Sequence, residues 1–346
     1  LYEPVDKNQV MFYREDKKGQ ILEEGINEAG AMSSWIAAAT AYSTYNQPML
    51  PFYIFYSMFG FQRIGDLAWA AGDSRAKGFL IGGTAGRTTL NGEGLQHEDG
   101  HSHILAGTIP NCRSYDPTYG YELAVIIREG ARRMMEEQEN VYYYLTVMNE
   151  AYVQPPMPKS KDVEEGIMRG MYLLQEEKKP AKLHVQLLGS GTILREVIEA
   201  ANILKEQFKV TADIWSVTSF NELRRDGLDV ERWNRLHPTK SAKLSFVERN
   251  LAKRKGPVIA STDYMKLFAD QIRQWVPGTY KVLGTDGFGR SDSRKKLRHF
   301  FEVDRNWVAY SALVALVESG DLEAKVLSDA LNSFGIDPGK TNPLDC

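Results

Sequence analysis

Three of the six histidines fall between His97 and His103, in Gln96-His97-Glu98-Asp99-Gly100-His101-Ser102-His103. Imidazole and carboxylate are ligands of transition metals, so metal binding is one chemistry this segment could perform. Its spacing argues against that. A helical zinc pair needs His at i and i+4 with a Glu between, whereas Gly100 interrupts this stretch and Asp-Gly favours a turn. A solvated loop is the plain alternative. Histidines that move protons or bind substrate are the third, because imidazole is the side chain most easily tuned to neutral pH.

Four other stretches carry possible chemistry. Glu28 lies near the start of an alanine-rich helical pattern over Ala31 to Tyr42, in a segment with little else polar. A carboxyl in such surroundings has a raised pKa and could hold or pass a proton; equally, it could be an ordinary helix N-terminal Glu stabilised by the dipole. The run Phe52-Tyr53-Ile54-Phe55-Tyr56-Ser57-Met58-Phe59-Gly60-Phe61-Gln62-Arg63 is unusually aromatic, which suits a core and also a wall that stacks on a flat ring. Gly189-Ser190-Gly191 stands between a strand and a helix like the start of a dinucleotide fingerprint, but Leu194 occupies the place of the third glycine, so a tight turn is the simpler reading. Asp286-Gly287-Phe288-Gly289-Arg290-Ser291 lacks the companions of a kinase signature and reads as a loop at a strand end, where binding residues often sit.

The elements that must position these residues are of α/β type. Short apolar runs alternate with helical patterns from the start of the chain to about residue 155, ending in the β-rich Val141 to Met148. Gln154-Pro155-Pro156-Met157-Pro158-Lys159 cannot continue a helix or lie inside a sheet, so it reads as a linker, followed by a crossing helix over Glu164 to Glu177. A βαβ pattern then opens with Leu183 to Leu188 as strand, Ile193 to Gln207 as helix and Ala212 to Val217 as strand. It repeats over Val258 to Ser261, a helix around Tyr264 to Trp275, and Tyr280 to Leu283; helices near 304–319 and 322–334 complete the chain. The expected division is residues 1–154, a linker with crossing helix over 155–180, and 181–346.

With 346 residues, 43% of them hydrophobic, the chain is long enough for two such cores. A net charge of -3, with no basic run interleaved with aromatics, argues against nucleic acid. No run approaches the length of a membrane span. Cys112 and Cys346 stand far apart, as expected of free thiols in a reducing, cytoplasmic compartment. The opening Leu1-Tyr2-Glu3-Pro4 reads as a start in mid-protein.

Taken together and in this order, Glu24-Gly25-Ile26-Asn27-Glu28, Tyr56-Ser57-Met58-Phe59-Gly60-Phe61-Gln62-Arg63 and Gly94-Leu95-Gln96-His97-Glu98-Asp99-Gly100-His101-Ser102-His103 resemble the pyrimidine-binding domain of transketolase-like thiamin-diphosphate enzymes. Their wording is most similar to the homodimeric bacterial pyruvate dehydrogenase E1 family, over essentially the whole chain. The resemblance implies two successive sandwich domains with parallel or mixed sheets: a pyrimidine-binding domain and a transketolase C-terminal domain. It implies that Glu28 hydrogen-bonds N1′ of the aminopyrimidine. Ile26 would wedge the cofactor into its bent shape, Tyr56 and Phe59 would surround the pyrimidine and the substrate, and Arg63 closes the same stretch. His97 would lie near the reacting carbon, with His103 the second choice for a catalytic histidine. The implied reaction is decarboxylation of pyruvate with acetyl transfer to the lipoyl domain of a dihydrolipoyl acetyltransferase. The family's Gly-Asp-Gly motif for Mg²⁺ and the diphosphate does not occur in this sequence, so those groups, and activity itself, are expected to require a preceding N-terminal segment; no metal ligand is assigned here.

Overall fold

The architecture was taken from a computed structural model, which describes residues 17–345. In chain order its elements are α1 (Glu28–Tyr45), β1 (Phe52–Tyr56), α2 (Gly60–Asp73), β2 (Phe79–Gly83), α3 (Ser102–Gly107), β3 (Cys112–Tyr115), α4 (Gly120–Met135) and β4 (Tyr142–Thr146). There follow α5 (Val163–Arg169), β5 (Met171–Gln175), β6 (His184–Gly189), α6 (Ile193–Phe208), β7 (Thr211–Val217), α7 (Phe220–Leu236), α8 (Phe246–Leu251) and β8 (Val258–Ser261). The last are α9 (Lys266–Asp270), β9 (Tyr280–Leu283), α10 (Arg294–Phe300), α11 (Arg305–Glu318) and α12 (Lys325–Phe334).

Two sheets result, in strand orders β1-β2-β4-β3 and β5-β7-β6-β8-β9. The first is parallel throughout; in the second, β5 alone is antiparallel. The two-sheet α/β architecture expected from the sequence is therefore the one observed. Parallel strands need helices on both faces, and here Met32, Trp35 and Ala39 of α1 pack with Phe61, Ile64 and Ala68 of α2 over Leu80, Tyr142 and Tyr144. On the other face Phe79, Tyr115, Tyr143 and Leu145 meet Val125, Ile126 and Met134 of α4. Trp35 is fixed there by its indole N–H, which lies within reach of the carbonyls of Pro51 (3.1 Å) and Phe79 (3.2 Å).

Helix α1 begins where the side chain of Asn27 accepts the Gly30 N–H (3.1 Å), an N-cap that fixes the backbone at Glu28. The crossing helix expected over Glu164–Glu177 is shorter than that. It stops at Arg169 because Gly170 turns left-handed (φ 106°), and Met171–Gln175 becomes β5 of the second sheet. The single helix expected around Tyr264 to Trp275 is likewise split into α9 and a 3-10 turn at Arg273–Trp275.

Buried polar contacts join the two sheets at the carboxyl ends of their strands. Asp263, just beyond β8, accepts the N–H of Thr88 (2.9 Å) and the hydroxyls of Thr88 and Thr89 (2.6 Å each). Asp116 sits against Gly191, where an added Cβ would come within 2.5 Å of Oδ2. Leu194 is fully buried, Gly189 packs against Leu194 and Val197 of α6 and Gly191 faces Asp116, so the Gly189–Gly191 segment is a closely packed turn. Cys112 is free and buried, and burial pushes its thiol up to about 12; Cys346 lies outside the described residues. Among the described residues no helix is long and apolar enough to cross a membrane.

Candidate active site

The candidate residues gather at the carboxyl ends of β1 and β2, where open parallel sheets usually bind ligands. β1 ends at Tyr56, a turn carries Phe59 to the start of α2, and the loop after β2 returns through His97. The ring of His97 stands edge-on to Phe59 (centroids 5.0 Å, 70°) and to Tyr56 (5.5 Å, 61°), and Tyr56 meets Phe59 at 6.3 Å. One turn into α2, the Arg63 guanidinium lies 4.2 Å from the Phe59 centroid and pairs with the Glu28 carboxylate through Oε1. Glu28, Arg63, Phe59, His97 and Tyr56 thus form one continuous set of contacts, although they come from three separate stretches.

The surroundings of Glu28 differ from the expectation. Its side chain is 19% exposed and faces a guanidinium, so it is neither dehydrated nor without polar company; Oε1 is engaged and Oε2 remains for a ligand. Tyr53 lies beneath, and burial together with the charges of Glu28 and Glu24 pushes its phenol up to about 12. Nδ1 of His97 is buried and has no hydrogen-bond partner. Tyr56 is 55% exposed, which leaves the outer surface of this aromatic wall uncovered.

Two expected site residues are not brought into the set. Ile26 is 99% exposed and projects from the segment before α1. His103 is a correction: it is completely buried, stacked on Phe268 (4.8 Å, 14°) and edge-on to Tyr264 (4.7 Å). Its Nε2 meets the Thr146 hydroxyl at 3.0 Å, and that hydroxyl donates to Asp116 Oδ1 at 2.7 Å. Its Nδ1 is buried and has no hydrogen-bond partner. Burial holds its pKa down at about 4. His103 is a neutral interior group, out of contact with the cleft.

The Asp-Gly turn expected to break the histidine segment is present. Asp99 accepts the N–H groups of His101 (3.0 Å) and Ser102 (2.9 Å), starting α3 anew after Gly100. His101 is thereby directed at Gln62, whose amide nitrogen lies 2.8 Å from its Nε2. Sequence reasoning did not single out Gln62, Arg87 or Glu98, which line a neighbouring cavity with His101. The signal for Glu98 and His101 lay in the histidine segment itself; Arg87 had none beyond being the one charge within Leu80–Leu90.

Residues 1–155 match the family model described as the pyruvate dehydrogenase E1 component middle domain, and residues 170–304 match the transketolase-like C-terminal domain. The pyruvate dehydrogenase E1 component of Pseudomonas aeruginosa is 78% identical over 100% of this chain. The E1 component of Escherichia coli (strain K12) is 61% identical over 99% of it. This chain belongs to the pyruvate dehydrogenase E1 component family. It spans 39% of the length of the first relative and 38% of the second. The fold is also that of solved transketolases. That of Leishmania mexicana gives a TM-score of 0.61 at 14% identity, covering 85% of this chain and 37% of that one; that of Campylobacter jejuni gives 0.59 at 20%, covering 81% and 38%.

Proposed function

We propose that this E1-family chain provides the aminopyrimidine side of a thiamin-diphosphate site that decarboxylates pyruvate and passes the acetyl unit to the lipoyl group of a dihydrolipoyl acetyltransferase. The observation that carries this reading is the contact set Glu28–Arg63–Phe59–His97–Tyr56. A flat heteroaromatic ring fits it. Phe59 and Tyr56 offer aromatic faces, and Glu28 Oε2 offers a carboxylate oxygen to a ring N–H. The exposed side chains of Ile54 and Phe52 continue the apolar surface along β1.

The fit does not extend to the metal. Among the described residues no group of three or more His, Cys, Asp or Glu side chains could hold an ion, and the sequence has no Gly-Asp-Gly. The Mg²⁺ and the diphosphate are therefore assigned to an N-terminal domain contributed by the full-length protein, across a homodimer interface in the cytoplasm, and the isolated chain is expected to be inactive.

When bound, the cofactor supplies the carbon nucleophile and the sink for the electron pair that decarboxylation leaves behind. The protein's own residues do the rest. Arg63 fixes the orientation of the Glu28 carboxylate, whose free Oε2 holds a proton at the ring nitrogen. Phe59 and Tyr56 exclude water from one face. His97, edge-on to both rings and with Nδ1 unpartnered, is placed to hold or move a proton beside them.

A transketolase or phosphoketolase activity on sugar phosphates is the nearest alternative, and it would need clustered cations for the phosphate. The cavity beside the site has one arginine, Arg87, and no lysine in its lining, which is not the cationic cluster a sugar phosphate needs and favours the pyruvate reading. The test is turnover by the full-length protein with thiamin diphosphate and Mg²⁺, comparing pyruvate plus lipoamide with ketose phosphate plus aldose phosphate. Turnover with pyruvate is expected; turnover with the sugar phosphates alone would overturn the assignment.

A further inference from the structure

Among the described residues, six other than glycine have a left-handed backbone: Asn46, Arg75, Thr84, Gln138, Lys209 and Glu302. Five of them stand just past the ends of α1, α2, α4, α6 and α10, where helices commonly turn left-handed as they stop. Thr84 (φ 50°) is the exception. It follows a strand, β2, and it alone of the six is β-branched, so its side chain crowds a backbone that already disfavours a Cβ. Glycine is the residue such a position ordinarily takes, and the stretch is rich in it: Gly82-Gly83-Thr84-Ala85-Gly86. Gly82 and Gly86 are there for space, since a Cβ would come within 2.4 Å of the Tyr144 hydroxyl at one and within 2.1 Å of Asp263 Oδ2 at the other. At position 84 a side chain is kept although the backbone would be easier without it.

The chain on either side gives Thr84 no relief. Gly83 is held in the ladder opposite Tyr56, the Ala85 N–H donates to the Val147 carbonyl (3.1 Å), and the Val147 N–H donates to the Gly82 carbonyl (2.9 Å). Strain of this kind persists only where the neighbouring structure over-determines it, and it gathers at functional sites. Here it stands at the carboxyl end of β2, beside the aromatic wall. The Thr84 hydroxyl donates to the Gly83 carbonyl (2.8 Å), and the same carbonyl accepts the N–H of Ser57 (3.0 Å). Ser57 belongs to the turn between Tyr56 and Phe59, and its own buried hydroxyl has no partner. The turn that aims both rings is thus tied to β2 by way of the Gly83 carbonyl, and Thr84 fixes the direction of that carbonyl within a run of flexible glycines.

We propose that Thr84 is a positioning residue for the aromatic wall: its constrained backbone and its hydroxyl hold the Gly83 carbonyl on the Ser57 N–H, and so set where Tyr56 and Phe59 meet a flat ring. That the ring is the aminopyrimidine rests on the E1 reading above. Thr84 itself touches no reacting atom in this account; it trades ease of folding for a fixed wall.

The experiment uses the full-length enzyme and compares Thr84→Gly with Thr84→Ser. Glycine relieves the backbone and removes the hydroxyl, so the urea midpoint should stay at or above that of the wild type. Turnover of pyruvate with lipoamide should nevertheless fall at least about tenfold, because a displaced wall misorients the ring. Affinity for thiamin diphosphate with Mg²⁺, followed by quenching of tryptophan fluorescence, should weaken at least about fivefold, while KM for lipoamide stays within about twofold. Serine keeps the hydroxyl and should hold both turnover and cofactor affinity within about threefold. A Thr84→Gly enzyme with normal turnover and cofactor affinity would overturn the proposal, as would a fall in urea midpoint that accompanies the losses or a serine variant impaired as much as the glycine one. A wild type that binds thiamin diphosphate but turns over sugar phosphates instead of pyruvate would remove the E1 reading, and the binding comparison would still decide the role of Thr84.

Discussion

Replacing His103 by Gln tests whether this histidine is an interior group or a reactive one. In the folded chain it is neutral, with a pKa of about 4 against an ordinary 6.5. As the pH falls, the unfolded chain takes up the proton first, so the stability that His103 contributes is present above about pH 6.5 and is lost as the pH falls towards about 4. A shift of that size corresponds to about 3 kcal/mol in total, of which roughly 2 kcal/mol falls between about pH 7 and about pH 5. The absolute stability curve would hide it. Asp116 and Glu98 are raised by burial to about 7 and about 8, so they become less costly to bury over the same interval and work in the opposite direction. The difference between the wild type and His103→Gln cancels those contributions. Gln retains a neutral N–H donor for Thr146 and removes the titration, while the lost stacking on Phe268 lowers stability equally at both pH values. Urea unfolding followed by tryptophan fluorescence should show the variant's deficit shrinking by about 2 kcal/mol from about pH 7 to about pH 5. A deficit that stays constant would mean that His103 titrates as if hydrated, and the interior assignment would be wrong.

Two further changes probe the walls of the site. In Glu98→Gln the cost of ionising a buried carboxyl disappears: with its folded pKa raised to about 8, the wild type loses stability as the pH rises from about 4.5 towards 8, so unfolding curves should show the variant gaining about 2 kcal/mol on it between about pH 6 and about pH 9. Parallel pH curves for the two proteins would refute the raised pKa. In Gly60→Ala the new Cβ would meet the Phe55 ring at 1.9 Å. That ring is stacked on Tyr144, so the change should cost about 1–3 kcal/mol and displace Phe59; unchanged stability in denaturant would show that the turn yields freely.

The alternation of strands and helices was legible because most strands are short apolar runs bounded by turn residues, as in Leu183–Leu188 and Val258–Ser261. β5 was not, because Met171–Gln175 is flanked by charges that read as a helix face, and Gly170 was not recognised as a stop. α7 was not read: of the buried residues of this 17-residue helix, Phe220, Asn221, Leu223 and Gly227, only two are large and apolar. At the site, three contiguous motifs could be read directly, and the structure brings Glu28, Arg63, Phe59, Tyr56 and His97 into contact. What enclosed His103 could not be read, since Thr146, Tyr264 and Phe268 lie far along the chain and belong partly to the other domain. The cavity beside the site was hidden for the same reason, because its two walls belong to different domains.

The most direct measurement is turnover of pyruvate by the full-length protein carrying Glu28→Ala, with circular dichroism and urea unfolding to establish that the fold is kept. If Oε2 of Glu28 holds the proton at the ring nitrogen, turnover falls by several orders of magnitude, and Glu28→Gln restores little of it because an amide cannot take the proton away. A folded Glu28→Ala enzyme that keeps near-normal turnover would contradict the account.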